Sequence, residues 1–467
     1  MDSETQPVVG AAAVNVAALA ASGAATRVEL ARVVWALAWP NIVTFALESL
    51  VGLVDMLMVG RLGAAAVAGV GVGTQILHAV DVVMIAVSTG TIALVARHIG
   101  AGEPRDAEDI LLQSLYVVGV ISAVTAALVF WWTPDFVRLF GVEAAVLREG
   151  VAFTRTIMLA VPSAAIFVVI ASALRGAGDT RTPLVIGALV NVLNIAGNYV
   201  LIFGKLGLPA LGVTGSALAG AIAFAVGAVL FLGLLIRGRL VLTLHRFRWL
   251  PRLSTVRRVL AIGLPTAAEQ LLMQVGFMLY LAIAATYGTA AVAAYFIGVR
   301  ILALSFLPGF GFGAAASTLV GQNLGAGNVN GAERSGWEAN RLAMLFMSVG
   351  GVLVFFFARS IARMFIDDPA VVSAAVTFIY ALAAAQPLMA ADFTLGGALR
   401  GAGDTRFPLL TVLVGFYGAR LGFAYVSASV LSLSLTWVWF ALVGDYVARA
   451  ALKAWRFRSG RWKSIRV

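Results

Sequence analysis

"ALRGAGDTR" occupies Ala173 to Arg181, and the same nine letters recur at Ala398 to Arg406, 225 positions later. Sliding the chain against itself by that offset tests for an internal duplication. Pro40 falls on Pro265, Gly63 on Gly288, "GAGEPRDAE" (Gly100 to Glu108) on "GAGNVNGAE" (Gly325 to Glu333), Phe140 on Phe365 and Pro162 on Pro387. No gap is needed across these landmarks, so the chain is two copies of one unit.

The composition says what kind of unit it is. Of 467 residues, 61% are hydrophobic and 12% charged, and the mean hydropathy is +0.97. That is more apolar surface than water-soluble cores bury, so lipid is the solvent for most of it. Continuous apolar runs of about 20 residues recur along the chain, the length of a bilayer-spanning helix rather than the alternating pattern of a barrel strand. Twelve such spans are predicted, six per copy. An even number returns the chain to its starting side, so the copies run parallel, related by an axis along the membrane normal. The expected fold is all-α, with twelve transmembrane helices as two parallel six-helix repeats forming two lobes around a central cavity. The boundaries read as a mobile N-terminal tail (1–30), an N-lobe (31–236), a basic linker (237–256), a C-lobe (257–452) and a basic C-terminal tail (453–467).

The 33 Lys and Arg exceed the 22 Asp and Glu by 11, and most of the basic residues fall on the side of the termini and the linker. By the positive-inside rule that side is cytoplasmic, in a multi-pass protein of the cell (inner) membrane. Basic residues interleaved with Trp and Phe in "RGRLVLTLHRFRWLPRLSTVRR" (Arg237 to Arg258) and "KAWRFRSGRWKSIRV" (Lys453 to Val467) read as anchors to anionic lipid headgroups, not as nucleic-acid readers. A chain without Cys and with His only at 78, 98 and 245 offers no disulfide, thiolate site or metal cluster. No nucleophile-base set and no Walker A pattern occurs, so neither an enzyme nor an ATP-driven pump is expected, and no cofactor. One duplicated pair supplies no ring of subunits for a channel, and a monomer is expected.

The nonapeptide itself reads as a cytoplasmic turn between the fourth and fifth helices of each copy. Gly176, Gly178, Gly401 and Gly403 permit a tight reversal, Asp179 and Asp404 can cap the next helix, and Arg175 and Arg400 stand at the preceding C-terminus. These are turn and gate residues, with direct substrate contact as the other reading.

Twelve spans in two parallel halves, "LRGAGDT" after the fourth and tenth, "DMLMVGRLG" ending the first, and "LVARHIGAG" and "LVGQNLGAG" after the second and eighth together resemble the multidrug and toxic compound extrusion (MATE) family over about residues 30 to 455. The resemblance implies a secondary antiporter that expels cationic or amphipathic compounds as H+ or Na+ enters. It also implies that Asp55, in a D-x-x-x-x-G context on the first helix, couples the cation, with Asn194 and Asn198 of "NVLNIAGNYV" as its polar companions. Asn198 stands where some branches carry Asp, which removes one formal charge. Other branches place a Glu on the seventh helix and an Asp on the tenth; Glu269 and Asp392 lie on those helices, about one turn from the pattern.

Ionisable side chains within spans are functional candidates by default, which singles out Glu48, Asp55, Asp81, Glu269, Arg300, Asp392 and Arg420. Glu48 and Asp55, seven apart, share a helix face about 10 Å apart along the axis. Asn194 and Asn198 share another. A carboxylate with two amide oxygens can chelate Na+, and the carboxylate alone can hold a proton; interhelical hydrogen bonding in lipid is the plainer role for the amides. The offset maps Asp55 onto Tyr280, Asn194 onto Ala419 and Asn198 onto Phe423, so this constellation belongs to the first copy alone. Helical periodicity puts Glu269, Met273 and Tyr280 on one face, and with Glu48 and Asp392 they are expected to line a cavity suited to amphipathic cations. Asp81 lies near His78 as a local pair or a proton relay, and Arg300 and Arg420 are expected to neutralise buried carboxylates. The competing function is a flippase for a lipid-linked glycan or polyisoprenoid intermediate, whose cavity would be basic to hold a diphosphate.

Overall fold

The structure, a computed structural model, describes residues 26–244 and 252–465. The tail up to residue 25, the middle of the basic linker with His245, and the last two residues lie outside the described residues.

Every regular element among the described residues is a helix. In chain order they are α1 (Arg27–Gly60), α2 (Ala64–Gly100), α3 (Pro104–Arg138), α4 (Ala144–Met158), α5 (Val161–Gly176), α6 (Arg181–Phe203), α7 (Gly212–Ile236), α8 (Leu253–Ala285), α9 (Thr289–Gly325), α10 (Val329–Phe356), α11 (Ala358–Arg363), α12 (Pro369–Gly401), α13 (Arg406–Val430) and α14 (Leu435–Arg458). Eleven are long and apolar enough to cross a membrane, and α4 with α5 forms a twelfth span bent by 51°. The break was not in the sequence reading, which ran that span straight. Pro162, in the first turn of α5, cannot donate to the turn before it. Its repeat partner Pro387 lies within the unbroken α12.

Local chemistry explains the ends. Thr26 and Glu29 form a capping box: Glu29 N–H donates to Thr26 Oγ1 at 3.3 Å and Thr26 N–H donates to the Glu29 carboxylate at 2.7 Å. Helix α1 therefore starts inside the stretch expected to be tail. Asp368 accepts from the N–H groups of Ala370 and Val371 at 2.8 and 3.1 Å, with Pro369 opening α12 behind it.

The chain forms two compact units, and their division does not follow the 237–256 linker. One unit holds residues 43–264; the other holds 265–465 together with 26–42. Both dividing points fall inside continuous helices, beside Pro40 in α1 and at Pro265 in α8, where the missing backbone N–H weakens the helix. In the first unit (the N unit) α2 packs on α3, α4 and α5, and α6 on α7. In the second (the C unit) α12 is central, packing on α9, α10 and α14. The leading part of each first helix belongs to the other copy's unit. Val33, Val34, Leu37 and Ala38 join the C-unit core with Phe312 and Leu319. The start of α8 approaches α2 so closely that a Cβ on Gly263 would lie 1.8 Å from the Ala86 carbonyl. A Cβ on Gly311 would lie 3.2 Å from the Ala38 carbonyl. By the repeat offset these are one contact in two copies.

Candidate functional site

Helices α1 and α6 bring Asp55, Asn194 and Asn198 together within the N unit. Asn198 is fully buried. Its Nδ2 donates to Asp55 Oδ1 and, at 2.8 Å, to Asn194 Oδ1. Both amide protons are thus used, and Asn198 Oδ1 is left buried with no partner. An acceptor so stranded costs roughly 1–3 kcal/mol until a donor or a cation meets it. Two chemistries do so. A Na+ shared with Asp55 would take that oxygen as a ligand; a proton on Asp55 would, after the amide turns over, donate to it. Gly220 of α7 lies alongside: a Cβ there would be in ordinary contact with Asn194 Nδ2, at 3.4 Å.

Glu48 is exposed and stands one turn of α1 from Phe45. The Arg175 guanidinium lies over the Phe45 ring at 5.6 Å and acts electrostatically on the Glu48 carboxylate. In the C unit the repeat partner of Arg175 does the same more directly. Arg400 Nη2 donates to both oxygens of Glu269 at 2.8 Å. The arginine of each nonapeptide therefore engages a carboxylate on its unit's first helix, at 48 in one copy and one turn away in the other.

The rest of the nonapeptide forms the expected turn, with its two glycines doing different things. Gly178 and Gly403 take φ of 93° and 89°, the left-handed region that closes the turn. Gly176 and Gly401 let helices touch: a Cβ would lie 2.8 Å from the Ile92 carbonyl in one and 2.1 Å from the Ser317 carbonyl in the other. Asp179 accepts from Thr182 N–H at 3.0 Å and from its hydroxyl at 2.6 Å, fastening the start of α6. Asp404 instead pairs with Arg456 at 2.7 Å.

Several residues expected on an acidic cavity wall are engaged elsewhere. Asp392 is buried between Arg449 at 2.6 Å and Lys453 at 2.5 Å. With Glu269 held by Arg400, neither offers a free negative charge; in an apolar interior a carboxylate persists only when paired. Tyr280 is 1% exposed, and its hydroxyl donates to the Val438 carbonyl at 2.5 Å. It belongs to the core, because periodicity fixes a face but not what that face packs on. Met273 is half-buried, with Arg449 Nη1 3.7 Å from its sulfur. Arg420 does neutralise a buried carboxylate, that of Asp445 at 2.7 Å. Arg300 is exposed and makes no ion pair among the described residues, nor is there a bond between His78 and Asp81.

Sequence reasoning missed Asp445, Arg449 and Lys453. Their spacing of four along α14 puts them on one face, a signal present in the letters. Lys453 was assigned to the lipid-facing tail but is 1% exposed. Trp462 likewise is fully buried, stacked on Phe457 with centroids 4.6 Å apart, and Lys463 pairs with Glu333 at 2.6 Å. The end of the chain folds onto the C unit.

Eleven apolar helices among the described residues, twelve spans if α4 and α5 cross as one, built as a tandem duplication with an amide–carboxylate cluster in one copy, are the architecture of a multi-pass membrane transporter. The MatE family model matches residues 40–200 and again 265–426, the same stretch in each copy, and the chain belongs to that family. Its members are transporters, not enzymes. A "Probable multidrug resistance protein NorM" of Thermotoga maritima is 32% identical over 91% of this chain and 92% of its own length. "Multidrug resistance protein PmpM" of Pseudomonas aeruginosa is 29% identical over 86% of this chain and 84% of its own. Among solved structures, an outward-facing multidrug resistance MATE family transporter aligns with a TM-score of 0.87 at 22% identity, over 96% of this chain and 99% of that one. A MOP superfamily transporter from Pyrococcus furiosus aligns with a TM-score of 0.86 at 22% identity, over 96% and 99%. At that identity the likeness is one of fold.

Proposed function

We propose that the chain is a cation-coupled antiporter that exports organic cations and amphipathic compounds by alternating access, taking H+ or Na+ inward at Asp55, Asn194 and Asn198. The observation that carries the reading is the buried amide oxygen of Asn198 beside a carboxylate inside a membrane helix. Such an arrangement can take up a cation, and among the described residues its acceptor has no other partner. The relatives named for multidrug resistance supply the substrate class, small organic compounds. The distribution of Lys and Arg supplies the orientation, both termini cytoplasmic in the cell membrane.

The flippase alternative requires free positive charge for a diphosphate. In the C unit Arg400, Arg420, Arg449 and Lys453 are each turned onto Glu269, Asp392 or Asp445, so these four offer a diphosphate no free charge, and Arg300 alone of the intramembrane cations discussed there is left without a carboxylate among the described residues. Ethidium efflux from cells carrying the protein, with and without a protonophore or Na+, tests the proposal. Expression-dependent efflux that collapses with one of the two gradients is expected. Efflux of every cation tested that is indifferent to expression, with a lipid-linked precursor accumulating on deletion, would establish the flippase.

A further inference from the structure

The place that the Asp55 cluster occupies in the N unit is filled by different chemistry in the C unit. The offset carries Asp55 to Tyr280, Asn194 to Ala419, Asn198 to Phe423 and Gly220 to Asp445. Gly220 lies against Asn194 in the N unit, and the residue at the same place in the C unit brings a carboxylate. That carboxylate has a resident partner. Arg420 Nη2 lies 2.7 Å from Asp445 Oδ2, and both side chains are wholly excluded from solvent. The rings of Phe416, Tyr446, Tyr280 and Phe277 stand 4.4, 5.5, 5.6 and 5.8 Å from the guanidinium carbon, a cage of aromatic faces around the charge. Tyr280, the counterpart of Asp55, is one wall of it.

The backbone is adapted to hold this group. Helix α6 is a regular α-helix, whereas its counterpart α13 is a π-helix over Leu413–Gly422, the segment that bears Arg420. A π segment of that length is rare and marks a site where side-chain placement outweighs backbone economy. Gly415 leaves the space Asp445 and Arg449 need, since a Cβ there would lie 2.7 Å from Asp445 Oδ1 and 2.3 Å from Arg449 Cγ. The other charged and titratable groups facing Asp445 are Arg449, at 4.0 Å, and Asp392, Lys453, Tyr446 and Tyr280. Asp392 already takes Arg449 at 2.6 Å and Lys453 at 2.5 Å, so Arg420 is the counterion that Asp445 has to itself.

We propose that Arg420 is a tethered cation occupying the C unit's copy of the cation site, which bars Asp445 from exchanging H+ or Na+ and confines coupling to the N unit. A guanidinium does not give up its proton in a protein, and its covalent tether prevents departure. Exchange at Asp445 therefore stays closed throughout the transport cycle. The proposal rests on the reading of Asp55, Asn194 and Asn198 as the exchanging site.

Dicyclohexylcarbodiimide tests it on the purified full-length protein. The reagent enters apolar sites, adds the proton and oxygen of a protonated carboxyl across its carbodiimide, and rearranges to a stable N-acylurea that peptide mass spectrometry locates. Asp445 should be labelled only at background in the parent and in Arg420→Lys, and at least about ten-fold above that in Arg420→Gln, where only Arg449, at 4.0 Å and shared with Asp392, is left as an ion-pair partner and a proton is favoured. Equal labelling of Asp445 in parent and Arg420→Gln, or none in either, overturns the proposal. If Arg420→Gln fails to fold, the double variant Arg420→Gln/Asp445→Asn decides: it should fold and transport like the parent, and its failure would make Arg420 a structural group independent of Asp445. Labelling of Asp55 is read in the same digests. An Asp55 whose labelling neither Na+ nor pH alters would sink the N-unit reading while leaving the Asp445 comparison intact.

Discussion

Replacing Asp55 by Asn removes the ability to gain or lose a charge and almost nothing else. The amide has the volume of the carboxylate, and its oxygen can still accept from Asn198 Nδ2, the bond that ties α1 to α6. The charge-assisted part of that bond is lost, a difference of about 1 kcal/mol between charged and neutral hydrogen bonds. Against this, a charge no longer has to be held at membrane depth, which by insertion scales relieves up to about 2.5–3.5 kcal/mol. The variant should therefore be as stable as the parent or slightly more so. Coupling is a different matter. Each elementary charge moved through a membrane potential of about 100 mV contributes about 2.3 kcal/mol, or roughly a 50-fold steady-state substrate gradient. Loss of one coupled cation should remove that factor. Everted vesicles given an imposed H+ or Na+ gradient, with abundance checked by immunoblot, measure it directly. An Asp55→Asn protein that builds the parent's gradient would place the coupling site elsewhere.

Glu48→Gln should raise KM for cationic substrates several-fold while leaving the maximal gradient and the transport of neutral compounds unchanged, read from initial rates in the same vesicles. Asn198→Asp restores a formal charge beside Asp55 and should increase Na+ dependence, seen as stronger stimulation of transport by added Na+. Arg400→Ala strands Glu269 in an apolar interior and should cost about 3–5 kcal/mol, most of it recovered by adding Glu269→Gln, as measured by thermal unfolding in detergent. Gly401→Ala should be worse than Gly403→Ala in that assay. The first drives a methyl into the Ser317 carbonyl, whereas the second imposes left-handed backbone strain of about 1–2 kcal/mol.

The fold was legible because its two determinants are written linearly. Apolar run length fixes the spans, and the repeated nonapeptide fixes their grouping into six and six. The Asp55 cluster was half legible: spacing placed Glu48 with Asp55 and Asn194 with Asn198, while the pairing of α1 with α6 came from family resemblance. What stayed hidden was which residues neutralise which. Arg449 and Lys453 lie 57 and 61 positions beyond Asp392 along the chain and meet it only because α12 packs on α14. Lys453 in a string of basic residues looked like a solvated tail, although its place on the Asp445–Arg449 face marked it as inward. The π segment of α13 was not read from the letters either, although Gly415, Gly418 and Gly422 in "LVGFYGARLG" weaken its preference for a regular α-helix.

The exchange of leading half-helices at Pro40 and Pro265 makes the two copies depend on each other. A lone six-span copy would carry a first half-helix with no core of its own to join and would lack the one that completes its unit. It could satisfy both needs only by trading that segment with a second identical chain. Neither copy is therefore a complete folding unit, and a cut in the linker would leave each half without a segment that the other carries. The Gly263–Ala86 and Gly311–Ala38 contacts are where the traded segments dock, one inside each unit.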